Sequence, residues 1–294
     1  MSRAKNEAPS IRTAWSTAAV RVAATALVTG LFGFSSSCAE ASSLKPIRWL
    51  FNGPGVAAMA ADAEASRLLD NTQPFVMWGR ALHGVPRSWN AVHVMSFKNF
   101  ADIRNALDSG SIEPEVKGIM YDYEKWRFTP EDEQRNPSAY LKKAADLAHS
   151  KGYLFLTAPA VNLVTVMAPG LDRNRLYETY LRLGIAADAA RYADVVDIQA
   201  QRYERDTEIY ASFVRQAVAQ ARQANPKVLV LAGVSTEPIG QQVTADDILN
   251  AIAATRDVVD GYWFNIPQPS DHSPAAKEFR PDIAVEVLRR LSAH

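Results

Sequence analysis

Short apolar runs alternate along the chain with longer segments in which apolar residues recur every three or four positions. The segments predict helices, as Phe100, Ile103 and Leu107 illustrate. The runs are rich in Val, Ile, Leu and aromatic residues, as in strands buried on both faces. Eight strands are predicted: Ile47–Asn52, Pro74–Gly79, Ala91–Phe97, Gly118–Glu124, Tyr153–Pro159, Val195–Gln201, Val228–Val234 and Gly261–Ile266. This alternation indicates βα units around a parallel sheet.

Eight βα units in roughly 250 residues match the size and strand count of an α/β fold of the (β/α)8 type, the TIM barrel. An open doubly wound sheet is the alternative. Segments that follow strands, such as Lys125–Asn136, are longer than those that follow helices, such as Ser150–Gly152. Because barrel enzymes build their sites from the loops after the strands, this asymmetry favours the barrel. Gly84 and Pro86 interrupt the second unit, so its helix is predicted to be short or absent.

The first forty residues differ from the rest. Basic residues precede an uncharged run over residues 22–37, and Ala39-Glu40-Ala41 fits the small-x-small pattern of a cleavage point. We therefore predict an export signal over residues 1–41, a single TIM-barrel domain over residues 42–294, and a secreted protein. Cys38 is the only cysteine, and lipid anchoring through Cys38 is the alternative.

The amino-acid composition argues against two classes of binding partner. The chain is 48% hydrophobic and 22% charged, with 32 Lys and Arg balancing 32 Asp and Glu, and it has no basic run. Neither nucleic acid nor an anionic membrane surface is therefore an implied partner. No membrane span is expected in the mature chain, which we predict to be a monomer.

Candidate chemistry begins in the fourth predicted strand. Successive side chains of a strand face opposite ways, so Met120, Asp122 and Glu124 share one face. Two acids at this spacing beside several aromatic residues are unusual in a strand, since like charges on one face repel each other. The pair indicates a functional site, with an exposed strand end as the alternative.

In a barrel, the ends of all strands converge on one mouth. The predicted strand ends and the turns after them carry Asn52, Trp78, Ser96, Asp122, Glu124, Gln201, Tyr203, Glu237, Trp263 and Asn265. Aromatic faces stack on sugar rings while amides and acids bond hydroxyl groups, so the combination predicts a carbohydrate partner. Each residue alone is more often structural, as buried tryptophans usually are.

The sequence lacks the motifs of metal sites, phosphate-binding loops and serine nucleophiles. The five histidines are scattered, and none pairs with another at metal-ligand spacing on a helix. The chain has no glycine-rich phosphate loop and no Gly-x-Ser-x-Gly turn. No cofactor and no metal is predicted.

The sequence Gly118–Glu124 resembles the end of the motif of glycoside hydrolase family 18, the chitinase and endo-β-N-acetylglucosaminidase family, whose pattern D-x-x-D-x-D-x-E lies on the fourth strand of a TIM barrel. The resemblance implies cleavage of β-linked N-acetylhexosamine glycans. It also implies that Glu124 is the general acid/base and that Asp122 orients the acetamido group of the substrate, which serves as the nucleophile.

Further positions extend the resemblance. Gln201-Arg202-Tyr203 resembles the Gln/Tyr element of the family, which implies that Tyr203 bonds the acetamido carbonyl. Trp263 is similar to the tryptophan that floors the sugar subsite. Ser96 is similar to the serine of the family's S-x-G-G, although the glycines are replaced here.

The chain also departs from the family pattern. Lys117 and Met120 stand where the motif has its first two aspartates. The substitution at Met120 removes the like-charge neighbour that would push a proton onto Asp122. Two alternatives therefore stay open. One is a glycan-binding barrel without catalysis, and the other is a retaining glycosidase with Glu124 as acid/base and Glu237 as nucleophile.

Overall fold

The computed structural model describes residues 46–70, 72–78, 84–270 and 275–293. The predicted export signal and Cys38 lie outside the described residues. None of the helices in these ranges is long and apolar enough to cross a membrane.

Eight parallel strands close into a barrel in chain order, and β8 pairs with β1 through Leu50 opposite Trp263. The predicted TIM barrel is confirmed. The strands are β1 Arg48–Asn52, β2 Phe75–Trp78, β3 Val92–Phe97, β4 Val116–Tyr121, β5 Leu154–Thr157, β6 Val195–Ile198, β7 Leu229–Ser235 and β8 Gly261–Asn265. Most end one to three residues earlier than the apolar runs predict, because the last residues of each run already turn into the loops.

Helices surround the barrel. In the described residues they are α1 Gly53–Ala61, α2 Ala63–Leu69, α3 Phe100–Ser109, α4 Glu131–Arg135, α5 Pro137–Ser150, α6 Val164–Met167, α7 Leu176–Leu183, α8 Ile185–Ala190, α9 Thr207–Ala224, α10 Ala245–Thr255 and α11 Pro281–Ser292. The start of α10 shows the predicted capping box, in which Thr244 and Asp247 satisfy each other's backbone N–H groups. Between β2 and β3, the described residues contain only the single turn Arg87–Trp89, as the interrupted second unit predicts.

The strands separate two apolar cores. The inner core fills the barrel and consists of Leu50, Phe75, Met77, Val94, Met120, Leu156, Ala158, Val195, Leu231 and Trp263. The outer core lies between the strands and the helices and contains Ile119 and Tyr121. The face of β4 that carries Met120 is therefore the inward face, as the alternation predicts, and it leads to the acids that follow the strand.

Candidate functional site

Loop residues after β4 position the two predicted acids. The backbone N–H of Asp122 donates to the carbonyl oxygen of Phe97, which continues the β3–β4 ladder for one more residue. Beyond it, buried Thr129 accepts from the N–H of Glu124 at 3.3 Å and donates to the carbonyl oxygen of Lys98 at 2.7 Å. The acids are therefore held on a tied segment at the mouth.

Asp122 is paired with a cation that the sequence analysis did not identify. The ammonium group of Lys98, at the end of the run that contains β3, contacts one carboxylate oxygen of Asp122, which is only 5% exposed. The other oxygen, Oδ1, has no hydrogen-bond partner among the described residues. Lys98 also donates to Ser96 Oγ at 3.4 Å, and its Nζ lies 5.1 Å from the ring centroid of Trp126.

Glu124 is partly buried and faces two amide side chains. Asn162 Nδ2 donates to its Oε2 at 3.3 Å, while Asn162 Oδ1 accepts from the N–H of Lys125 at 2.9 Å, which fixes the orientation of the amide. Gln199 lies beside the carboxyl group and lowers its pKa. Gln199 Nε2 in turn donates to the carbonyl oxygen of Ala158 at 3.0 Å.

These surroundings place the ionisation of Glu124 near neutrality. Burial and the negative charge of Asp122 raise the pKa of Glu124 to about 7, against the lowering effects of Lys98 and of the two amides. A carboxyl group in this range can give and take a proton at neutral pH, which is the requirement for a general acid/base.

Strand β6 contributes a further acid that the sequence analysis missed. Asp197 is 1% exposed, and neither of its oxygens has a partner in the described part of the chain. Burial, and then the charge of Asp122, raise its pKa well above the usual range. The alternation Val195, Asp197, Gln199 could have identified both polar residues as inward-facing. Because the strand was predicted to end at Gln201, neither residue was predicted to lie at a strand end.

Glu237 follows β7 and is 5% exposed, so it is a buried glutamate and not a solvated one. Its carboxylate accepts from the backbone N–H of Lys277 at 3.0 and 2.9 Å and from that of Glu278 at 3.0 Å. These bonds tie the loop after β7 to the segment after β8.

Gln201 follows β6, and its side-chain amide lies against Gly233 of β7. A Cβ at Gly233 would lie 2.4 Å from Gln201 Oε1, so only glycine at this position leaves room for the amide. Gln201 Oε1 is buried and has no partner among the described residues, so its capacity to accept a hydrogen bond is unused there.

A cavity of about 380 Å³ lies at the mouth beside Glu124, Gln201 and Glu237. Its polar lining includes Glu124, Asn162, Gln199, Gln201, Glu237 and Asn265. Two aromatic residues, Trp126 and Tyr177, also line it. Four predicted site residues therefore meet in one cavity, and Asn162, Gln199 and Tyr177, which the sequence did not predict as site residues, join them.

The other predicted site residues lie elsewhere. Asp122 contacts Lys98 as described, and Trp263 belongs to the inner core with its indole N–H unpartnered among the described residues. The ring of Tyr203 packs on Tyr177 with centroids 4.1 Å apart and is not part of the cavity lining. Ser96 bonds Lys98 outside that lining. The side chain of Trp78, at the end of β2, lies outside the described residues.

The cavity can bind a neutral polar molecule by its amides and by Trp126, with one titrating carboxyl group at its wall. Within the described ranges, no group of three His, Cys, Asp or Glu side chains is placed to hold a metal ion.

No family model and no curated protein matches the chain. Solved structures that resemble it include pyruvate carboxylase from Rhizobium etli, with a TM-score of 0.46 and 13% identity over 85% of this chain. This chain spans only 27% of that enzyme. The spore cortex-lytic enzyme SleL of Bacillus megaterium gives a TM-score of 0.46 and 10% identity over 84% of this chain and 75% of its own. A proposed α-L-fucosidase from Bacteroides thetaiotaomicron gives 0.47 and 11% over 91% and 99%. Likenesses at this level carry no argument about activity.

Proposed function

We propose that this protein is a glycoside hydrolase that cleaves β-linked N-acetylhexosamine glycans, with Glu124 as the general acid/base. The observation that carries the proposal is the position of Glu124, which faces the cavity with its pKa raised to about 7 by burial and by Asp122. The proposal includes export of the barrel domain, residues 42–294, as a secreted monomer.

Glu124 performs two proton transfers in this mechanism. Protonated Glu124 donates its proton to the glycosidic oxygen as the bond to the anomeric carbon breaks. The resulting carboxylate then takes a proton from the water that attacks the anomeric carbon. Because the pKa of Glu124 is about 7, both protonation states are accessible near neutral pH during one cycle.

The acetamido group of the substrate supplies the nucleophile. Its carbonyl oxygen attacks the anomeric carbon, so that no enzyme carboxylate forms a bond to the sugar. The resemblance gives Asp122 the role of orienting the acetamido group, and its buried Oδ1, which has no partner among the described residues, would accept the acetamido N–H after the substrate displaces the residues that cover it. Lys98 supports the negative charge of Asp122 from the other oxygen.

Amides and aromatic rings bind the sugar. Gln201 and Asn265 line the cavity and offer donors and acceptors for sugar hydroxyls and for the acetamido carbonyl. Trp126 lines the same cavity and can stack on a sugar ring, whereas the ring of Tyr177 packs on Phe213 and Tyr203. In this proposal Gln201 takes the role that the resemblance gives to Tyr203, because the ring of Tyr203 packs on Tyr177.

A second candidate is a retaining glycosidase in which Glu237 attacks the anomeric carbon. It is supported by the presence of Glu237 in the same cavity as Glu124. The backbone N–H groups that bind both of its oxygens favour an anchoring role instead.

The test is release of a fluorophore from a panel of aryl β-glycosides that includes N-acetylglucosaminides, by the full chain and by Glu124→Gln. We expect turnover restricted to acetamido sugars and a fall in kcat of about 100-fold or more in Glu124→Gln. The control is Glu131→Gln, which removes an exposed glutamate of α4 and should keep full activity.

Two further results separate the alternatives. Covalent trapping of Glu237 by a fluorinated glycoside that lacks the acetamido group would favour the second candidate. Binding of the glycans without turnover, unchanged by Glu124→Gln, would identify a glycan-binding barrel and overturn the proposal.

A further inference from the structure

A strained turn follows β7 at the rim of the cavity. Ile239 has φ 53° and ψ 39°, in the left-handed region of backbone space. A β-branched residue is rarely found there, because its Cβ crowds the adjacent backbone, and the conformation costs free energy. Glycine or asparagine would adopt it more easily. The chain therefore keeps isoleucine at a position where that residue destabilises the turn.

The side chain of Ile239 gains no burial in return. It is 53% exposed and belongs with Leu154 and Ile209 to the large exposed hydrophobic residues of the described chain. Of these three residues, Ile239 alone lines the cavity that contains Glu124. An exposed apolar side chain in a strained conformation at a cavity indicates a function in binding.

The flanking residues hold the turn in this position. Glu237 is fixed by the N–H groups of Lys277 and Glu278, and the N–H of Gln241 donates to the carbonyl oxygen of Pro238 at 3.0 Å. The turn is thus closed on both sides of Ile239. Its surroundings impose the strain, and the side chain is held ready at the rim before a ligand arrives.

We propose that Ile239 is a substrate-binding residue that packs against the apolar face of a sugar ring at the cavity rim. The inference rests on the proposed function and adds a contact to the amides and aromatic rings already described. The C–H groups on one face of a pyranose ring form an apolar surface, and covering it with an aliphatic side chain removes both surfaces from water.

The test compares Ile239→Asn with Ile239→Val. Asparagine tolerates the left-handed conformation but lacks the apolar surface, whereas valine keeps the apolar surface and the strain. We expect Ile239→Asn to raise the Tm and to raise KM for a nitrophenyl N-acetylglucosaminide by roughly tenfold, with kcat within about twofold. Ile239→Val should keep the wild-type Tm and most of the affinity. Ile209→Asn, at an exposed isoleucine of α9 outside the cavity, is the control for both measurements.

Calorimetric binding of a β-linked N-acetylglucosamine trisaccharide to the full chain separates failure of this inference from failure of the proposed function. Binding that is equal in wild type and Ile239→Asn overturns the role of Ile239 and leaves the proposed function standing. Absence of binding to the wild type overturns both. A lower Tm in Ile239→Asn shows that isoleucine is the better residue for the turn, and it overturns the inference because its premise is then wrong.

Discussion

The loops after β4 and β7 each bring a glutamate to the same cavity, but they surround it differently. Glu124 is partly buried, and its partners are side-chain amides, one of them Asn162 at 3.3 Å. Glu237 is buried and receives three hydrogen bonds from the backbone N–H groups of Lys277 and Glu278. The carboxyl group of Glu124 therefore has few and long hydrogen bonds, whereas both oxygens of Glu237 accept hydrogen bonds from the backbone.

The difference shows that burial alone does not identify a catalytic acid. Backbone N–H donors stabilise a carboxylate and fix it in place, which suits an anchor between two loops. Burial and the negative charge of Asp122 raise the pKa of Glu124 to about 7, because the two amides and Lys98, which lower it, offset them only in part. Proton transfer requires the less well supported group.

The largest expected effect separates the two glutamates by activity. Glu124→Gln removes the only titrating proton donor of the mechanism and should lower kcat by about 100-fold or more. Glu237→Gln keeps a side chain of the same shape and should lower kcat by less than about tenfold. Rates on an aryl N-acetylglucosaminide measure both. Equal losses in the two variants would contradict the comparison and favour Glu237 as nucleophile.

For stability, we expect the larger effect in Glu237→Gln. In Glu237→Gln, the amide N–H2 replaces one acceptor oxygen and faces the donors of the segment after β8. We expect the free energy of unfolding to fall by roughly 1–3 kcal/mol, measured by urea denaturation. Glu131→Gln is the control and should be close to wild type. An unchanged stability in Glu237→Gln would show that the three backbone bonds do not anchor the loop.

The pH dependence of stability should also distinguish Glu124. Its pKa in the folded chain is about 7, above the ordinary value of 4.5, so the folded state retains a proton that the unfolded state releases between these values. The free energy of unfolding therefore decreases as the pH rises through this window, by on the order of 2 kcal/mol for a partly exposed group. Glu124→Gln should remove this part of the decrease. A pH profile identical to that of the wild type would contradict the raised pKa.

The sequence predicted the parts of this molecule that depend on local pattern. The alternation in Gly118–Glu124 predicted which side chains face the barrel, and the strand count predicted the closed sheet. The end of β6 was predicted three residues late, because Gln199 and Gln201 continue the alternation after the ladder has stopped at Ile198. Asp197 within β6 and Gln199 just after it were therefore not predicted as site residues.

Contacts between distant segments could not be predicted in this way. Lys98 and Asp122 come from different strand ends, and Asn162 reaches Glu124 from the loop after β5. Neither pair has a sequence spacing that a local period would reveal. Tyr203 was predicted at the site from its position after the sixth strand and from the resemblance, whereas its packing on Tyr177 depends on how the loop after β6 meets α7.

The smallest expected effect concerns the charges beside Glu124. The charge of Asp122 raises the pKa of Glu124 and that of Lys98 lowers it. Asp122→Asn should therefore lower the pKa of Glu124, and Lys98→Met should raise it, each by roughly half a unit to one unit. NMR titration of isotope-labelled glutamate carboxyl groups measures the shifts without requiring activity.

The double variant should return the pKa of Glu124 close to the wild-type value, because the two opposing charges are removed together. Absence of a shift in both single variants would show that burial alone raises the pKa, and the contrast with Glu237 would then lie only in the number of hydrogen-bond donors.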